Sequence, residues 1–295
     1  MRARGQLSIA QTIGLVLLAM GLFFGGSMLG VALLATVSGS HIAEAQDTFS
    51  RNPLALGLVQ LVALGAVWVI GKHIAFGARP FREALGVRRV PLPLLLLSVV
   101  AGLAFHFPLV ELMAFLTERF PELAPDAASQ ARIEEMTRTD SIERAFAVWL
   151  TLVGIAATTE ELLFRGLFLP ALRPKLGSAG ALVLTSLLFG VFHVEPFAVI
   201  YASIAGLILG VIAIRTDSVL MCIAFHAAFN AVPLLLPESF VPIPGFNVAE
   251  SEAHMPLLLV FGTSVVFFAS MLCLFRLTRN GTPEEIIHIK SETAE

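Results

Sequence analysis

Two adjacent glutamates and an arginine interrupt an otherwise apolar stretch of the chain. The stretch reads ATTEELLFRGLFLP, covers residues 157 to 170, and places the charges at Glu160, Glu161 and Arg165. An ionisable side chain in an apolar span costs at least about 2.5 kcal/mol, so such residues usually face the interior of a bundle and carry function. These three residues are therefore the centre of a candidate site.

Helical spacing separates the roles of the two glutamates. Glu161 and Arg165 are four residues apart, which favours an ion pair on one helix face. Glu160 is turned away by about 100° and lacks this partner. A carboxylate without a counter-ion in a poorly solvated place binds a proton more readily than one in water, which suits a general base. The pattern predicts Glu160 as the base and Glu161 as an orienting group.

Further polar side chains occur on two later apolar spans. His193 follows Phe189 by one helical turn, and His226 and Asn230 share a helix face because they are four residues apart. A base, two imidazoles, an amide and a guanidinium suit the hydrolysis of an amide bond. Glu160 would activate water, and the imidazoles and the amide would stabilise the tetrahedral oxyanion.

The composition indicates the elements that must position these residues. Hydrophobic residues make up 57% of the 295, charged residues 14%, and the mean hydropathy is +0.85, whereas soluble domains are about 25% charged. The length of the apolar runs predicts an all-α, polytopic transmembrane bundle of about eight helices. The runs lie near 8–38, 54–75, 91–117, 145–169, 179–198, 199–214, 218–237 and 256–277.

Lysine and arginine predict the orientation, because loops rich in these residues stay cytoplasmic. With the N-terminus inside, thirteen cations, including Arg2, Arg4 and Lys290, lie inside, and five lie outside. We expect a multi-pass protein of a bacterial inner (cell) membrane with both termini in the cytoplasm. The net charge of −3 predicts no nucleic-acid partner. The two cysteines, Cys222 and Cys273, fall in apolar spans and indicate neither a disulfide nor a Cys-rich metal site.

The chain divides into three predicted segments. Residues 1–142 comprise the N-terminal transmembrane helices and an outer loop whose second half is expected to form a short interfacial helix. Residues 143–237 form the core that carries the candidate site. Residues 238–295 comprise another outer loop, the last transmembrane helix and a cytoplasmic tail.

Three motifs in this core resemble a known family. EELLFR (160–165), FGVFH (189–193) and HAAFN (226–230) are similar to the EExxxR, FxxxH and HxxxN/D motifs of the CPBP family. This family contains the CAAX prenyl endopeptidases and their bacteriocin-processing and abortive-infection relatives. The resemblance covers about 143–237.

The resemblance implies an intramembrane endopeptidase with a cavity open to the cytosolic side and a membrane-associated protein or peptide as substrate. It makes Glu160 the general base and Glu161 and Arg165 its supporting pair. The remaining site residues that it implies are His193, His226 and Asn230.

Alternatives to this interpretation remain. Two histidines and a glutamate could bind zinc with one open position, but HExxH spacing is absent, and using Glu160 as a ligand would remove the base. A metal-free route without cofactor is favoured. A proton-coupled transporter and a non-catalytic membrane scaffold are the other hypotheses. His106 and Glu111 in the third span could contribute to the cavity, but no spacing assigns them a role, so packing or a place at the membrane interface is favoured.

Overall fold

The protein is all-helical in the part that its computed structural model describes, residues 6–248 and 254–279. Arg2, Arg4, Lys290 and the tail after 279 lie outside the described residues, so their predicted positions stay predictions. The described part forms ten α-helices: α1 (Ile9–Ser38), α2 (Ile42–Ser50), α3 (Pro53–Phe76), α4 (Phe81–Ala84), α5 (Leu92–Arg119), α6 (Ala127–Thr137), α7 (Ile142–Val191), α8 (Pro196–Thr216), α9 (Val219–Leu235) and α10 (Leu257–Arg279).

Six of these helices are long and apolar enough to cross a membrane, namely α1, α3, α5, α7, α8 and α10. The eight predicted spans become fewer helices because α7, with 50 residues, contains both 145–169 and most of 179–198. The span predicted at 218–237 corresponds to α9, an apolar helix of 17 residues. The prediction of a polytopic helical bundle is confirmed, and the protein is a multi-pass integral membrane protein.

A break at Gly177 divides α7 into two halves. Gly177 has φ 69° and ψ 177°, a conformation that is accessible to glycine because it has no Cβ atom. Beyond it the chain turns back, since the ring centroid of Phe189 lies 5.1 Å from that of Phe164. The halves form a hairpin that places the second motif beside the first.

Helix α9 is held against α5 by close backbone approach. A Cβ atom on Gly102 of α5 would overlap the carbonyl of Phe225. The Ser98 hydroxyl donates to the carbonyl of Met221 at 2.8 Å, and Nδ1 of His106 lies 3.0 Å from the carbonyl of Phe229. These contacts fix the register of the helix that carries the third motif.

The ends of the helices form two faces. The amino-terminal face comprises residues 6–8, 77–91, 172–178 and 216–218. There the Leu7 amide donates to the Ala171 carbonyl at 3.2 Å, and the Val219 amide donates to the Gly86 carbonyl at 3.2 Å.

The α6 face comprises residues 39–52, 120–141, 192–195 and 236–248. There Arg144 Nη1 donates to the carbonyl of Arg51 at 3.3 Å, and the Asn247 amide donates to the carbonyl of Leu236 at 2.7 Å.

A polar clasp ties the start of α10 to the end of α5 on the α6 face. His254 Nδ1 lies 2.8 Å from Glu111 Oε1, and His254 Nε2 lies 3.2 Å from Glu118 Oε2. The Met255 amide donates to the other oxygen of Glu111 at 3.0 Å. Glu111 therefore joins α5 to the residues that precede α10.

This clasp should make stability depend on pH. Hydrogen bonds to Glu118 and Glu111 raise the pKa of His254 above its ordinary value. A raised folded-state pKa stabilises the fold fully below about pH 6.5, the unfolded value, and the contribution disappears as pH rises through the folded value. We expect His254→Gln to lower the melting temperature in detergent at pH 6 and to have little effect at pH 9.

The exposed His41 on the same face offers a matched control. Its side chain makes no capping hydrogen bond at the start of α2, so His41→Gln should show no such pH-dependent difference. An equal effect of His254→Gln at both pH values would contradict the ionic character of the clasp.

Candidate active site

The Glu161–Arg165 ion pair lies at the centre of the bundle. Arg165 Nη1 is 2.7 Å from Glu161 Oε1, and the two residues are 1% and 0% exposed. Arg165 Nη2 donates to the carbonyl of Gly206 on α8 at 3.2 Å. A Cβ atom on Gly206 would lie 3.3 Å from that nitrogen, so the small residue lets the guanidinium reach across to α8.

Two π-helical segments flank the adjacent glutamates. They comprise Trp149–Ala156 and Leu162–Phe168, with the short α-helical segment Ala157–Glu161 between them. Segments of π-helix are rare and frequently occur at functional sites. The second one contains Arg165, so the charged residues lie where the regular helical register is interrupted.

His226 connects the ion pair to the second glutamate. Its Nδ1 is 2.9 Å from Glu161 Oε1, and its Nε2 is 4.0 Å from Glu160 Oε2. Because the ion-paired Glu161 carboxylate accepts hydrogen bonds, Nδ1 carries the proton, and in the neutral ring Nε2 is an acceptor. Residues from α7 and α9 thus form a chain from Arg165 through Glu161 and His226 to Glu160.

Glu160 has a partner on a third helix. The Gln60 amide of α3 donates to Glu160 Oε1 at 3.0 Å and lies 3.3 Å from the hydroxyl of Thr159. Glu160 is 7% exposed. One carboxylate oxygen is therefore held by an amide, while the other faces the His226 ring across a gap longer than a hydrogen bond.

Phe189 joins the arginine to both histidines. Its ring centroid lies 4.3 Å from the guanidinium carbon of Arg165, a cation–π distance. The same ring lies edge-on to His193 at 5.0 Å and to His226 at 5.9 Å. The aromatic residue of the second motif therefore packs against residues of the other two.

His193 is held in a tight turn after α7. Its Nδ1 donates to the Phe189 carbonyl at 2.9 Å, which leaves Nε2 free of that bond. The following residue, Val194, has φ 67°. A positive φ is strained for a β-branched residue, and such strain concentrates at functional sites. The turn therefore positions the imidazole at the end of the helix.

Asn230 bonds to the π-helical part of α7. Its amide nitrogen donates to the carbonyl of Leu152 at 2.9 Å. One amide proton is thus used to hold α9 against α7. The second amide proton and the side-chain carbonyl remain for other partners.

A cavity of about 360 Å³ adjoins these groups. Its wall is mainly apolar, with side chains from α5, α6, α7, α8 and α9, and its polar lining residues are His106, Thr137, His193, Tyr201, His226 and Asn230. Glu160, Glu161 and Arg165 are not part of the lining. They lie behind His226, so this imidazole is the link between the cavity and the buried charges.

The buried charges around His226 are one proton short of neutrality. With both glutamates ionised and Arg165 protonated, the group has one excess negative charge, and uncompensated buried charge is costly. One proton on either His226 Nε2 or Glu160 Oε2 would balance it. Glu161 Oε2 is buried without a hydrogen-bond partner among the described residues.

The described residues do not place a zinc set around this cavity. No three His, Cys, Asp or Glu side chains in that part of the chain come close enough together to hold a metal ion. His226 Nδ1, one of the nitrogens that could bind zinc, is instead hydrogen-bonded to Glu161.

Three contributors to the site were not found from the sequence. Gln60 could have been noticed, because it is a lone amide in the apolar run of α3, and such residues form interhelical hydrogen bonds. The carbonyls of Leu152 and Gly206 carry no side-chain signal. His106, assigned to packing, both bonds to α9 and lines the cavity.

Comparison with known proteins supports the family resemblance. Residues 142–232 match the family model described as Rce1-like, type II CAAX prenyl endopeptidase Rce1-like. This segment contains all three motifs and confirms the resemblance predicted from them. No curated protein and no solved structure matches the chain. The family implies a protease that acts on membrane-associated proteins.

The Glu161–Arg165 pair predicts a specific pattern of stability. Arg165→Met leaves a buried carboxylate without its cation, and removing one partner of a buried pair costs about 3–5 kcal/mol. We expect a loss of this size in the free energy of unfolding, measured by SDS titration in mixed micelles. The double variant Arg165→Met/Glu161→Gln should recover a substantial part of it, because it removes the unpaired charge. A double variant that is no more stable than the single one would contradict this explanation.

Proposed function

We propose that this protein is a glutamate-dependent intramembrane endopeptidase and that Glu160 activates the attacking water. The observation that carries the proposal is the chain of contacts from Arg165 through Glu161 to His226. This imidazole lies at the wall of an apolar cavity, and its Nε2 is 4.0 Å from Glu160 behind it. A carboxylate and an imidazole that share one proton can both take and return it during hydrolysis.

Attack and bond cleavage follow from these positions. Glu160 Oε2 accepts a proton from water, and the water oxygen bonds to the carbonyl carbon of the scissile peptide. The resulting oxyanion accepts hydrogen bonds from donors at the cavity wall, for which Asn230 and protonated His193 or His226 are the candidates. When the C–N bond breaks, the nitrogen takes up the proton that Glu160 received from water. The products are a carboxylic acid and an amine, and transfer of the acid proton to the amine leaves a carboxylate and an ammonium group.

The supporting residues act by fixing His226. Glu161 accepts a hydrogen bond from Nδ1–H, so Nε2 faces Glu160, and Arg165 holds the Glu161 carboxylate in place through their ion pair. Phe189 packs against the guanidinium and both imidazoles. Glu161 and Arg165 are positioning residues in this scheme, because neither lines the cavity. Phe189 lines the cavity and also positions both imidazoles.

The apolar lining favours substrates that bring apolar side chains or a lipid group into the membrane. A substrate that enters the cavity loses contact with water and gains contact with the apolar wall. This transfer is favourable for the apolar surface of the substrate, which therefore supplies the binding free energy. The substrate class is a membrane-associated protein or peptide. CAAX-type prenylated proteins are the substrates that the family name suggests.

Replacement of the proposed base should abolish turnover without unfolding the protein. A positioned general base contributes about 10²–10⁴-fold to the rate, so we expect Glu160→Gln to lower cleavage by about 100-fold or more. The measurement compares newly formed peptide termini, by mass spectrometry, in cells that produce the parent or the variant. Turnover in isolated membranes should persist in EDTA.

Glu143→Gln is the matched control for this experiment. It makes the same change in α7 at an exposed position near the start of the helix and should leave cleavage unchanged. A set of termini that is identical for the parent and Glu160→Gln would favour the transporter or the scaffold. Loss of turnover in EDTA with recovery on adding zinc would favour the metal-dependent alternative.

Gln60 should position the proposed base. Its amide donates a hydrogen bond to Glu160 Oε1 at 3.0 Å, and a misplaced catalytic group lowers the rate of the chemical step. We expect Gln60→Leu, which cannot donate this bond, to lower kcat more than it raises KM when cleavage of a membrane-anchored peptide is measured. A raised KM with kcat unchanged would contradict a positioning role for Gln60.

A further inference from the structure

We propose that the cavity opens on the non-cytoplasmic side of the membrane, so that its substrates are polypeptide segments exposed on that side. The inference rests on the proposed function and adds the side from which a substrate reaches the site. The family resemblance implied a cavity open to the cytosol, and the distribution of lysine and arginine predicted that both termini lie in the cytoplasm. The helix directions show that these two expectations exclude each other.

The lining residues locate the mouth on the α6 face. Ile133, Met136 and Thr137 of α6 line the cavity, and Ile133 and Met136 are 51% and 37% exposed. His193 lies in the turn that ends α7, on the same face. The lining of α8 begins at Ala198, two residues after its first residue.

The opposite end of the cavity is closed. Leu209 and Phe225, which are 1% and 0% exposed, are the lining residues of α8 and α9 that lie nearest the amino-terminal face. No residue of 77–91, 172–178 or 216–218 lines the cavity. Access therefore runs from the α6 face to the buried charges and does not continue to the amino-terminal face.

The charges of the described residues distinguish the two faces. The cations at or beside the amino-terminal face are Lys72, Arg79, Arg82, Arg88, Arg89, Arg173, Lys175, Arg215 and Arg276. The cations at or beside the α6 face are Arg51, Arg119, Arg132, Arg138 and Arg144. The amino-terminal face thus has nine cations and the α6 face has five. The face with more lysine and arginine is the one retained in the cytoplasm, where anionic lipids attract it.

The structure shows which of these cations are paired with carboxylates on the same face. Three of the five arginines on the α6 face are engaged by carboxylates of the same face: Arg51 by Asp47, and Arg138 and Arg144 by Glu135. On the amino-terminal face Arg88 pairs with Asp217, and the only other described acid there is Glu83. The amino-terminal face therefore carries the uncompensated positive charge, and the mouth lies on the other side.

Accessibility labelling can test the orientation without any substrate. Thr137→Cys and Ser239→Cys place a thiol on the α6 face, and Ser178→Cys and Arg82→Cys place one on the amino-terminal face. Each is made in the full chain with Cys273→Ala, since Cys273 is exposed and Cys222 is buried. Spheroplasts are treated with a membrane-impermeant maleimide before and after permeabilisation. Ser178→Cys and Ser239→Cys form the matched pair.

We expect the α6-face thiols to react in intact spheroplasts and the amino-terminal-face thiols to react only after permeabilisation. The reverse pattern, or reaction of both sets in intact spheroplasts, would overturn the proposal. Each face carries two variants, so one that does not fold leaves the result decided by the other.

An activity measurement separates this inference from the proposed function. A quenched fluorescent peptide with an acyl anchor is added to right-side-out and inverted vesicles from the same cells, with Glu160→Gln vesicles as the blank. Cleavage above the blank only in right-side-out vesicles supports the proposal, and cleavage only in inverted vesicles overturns it. Cleavage in neither, even after permeabilisation, counts against the protease function, and the labelling pattern then decides the orientation by itself.

Discussion

The buried ion pair between Glu161 and Arg165 is the interaction on which the rest of the site depends. Its two charges lie in the apolar centre of the bundle, where they are tolerable only because they neutralise each other and find further polar partners. Those partners are the Gly206 carbonyl on α8 and the His226 imidazole on α9. A single pair on α7 thereby links three helices and fixes the ring that faces the cavity.

Glu160 has a different environment from Glu161, and the proposed function depends on this difference. Glu160 lacks a cation and is held by the neutral amide of Gln60. With both glutamates ionised and Arg165 protonated, the group carries one excess negative charge, and in the proposed function His226 and Glu160 exchange the proton that balances it. Adjacent carboxylates on one helix thus differ in their partners: Glu161 is paired with a cation, and Glu160, the proposed proton acceptor, is not. The same difference underlies many pairs of acidic residues in enzymes.

Side-chain spacing allowed much of this arrangement to be predicted. The (i, i+4) relations within Glu161–Arg165 and His226–Asn230 indicated shared helix faces, and the apolar runs indicated the spans. Spacing could not reveal the turn at Gly177, which depends on a backbone conformation, or the carbonyl of Leu152, which is available in a π-helical segment. Nor could spacing show that Glu160 lies behind His226. Periodicity predicts which residues share a helix face, but not how far each one lies from a cavity formed with neighbouring helices.

The proposed hydrolysis requires water to reach the site inside the bilayer, and helix length provides a route. At a rise of 1.5 Å per residue, the 17 residues of α9 span roughly 26 Å, less than a hydrocarbon core of about 30 Å. The second half of α7, residues 178–191, is shorter still. Both begin near the amino-terminal face, so both end before the opposite boundary of the core. The polar turn with His193 and the loop after α9 therefore lie within the depth of the core, at a level where a longer helix would exclude water. Residues of α6 line the resulting opening.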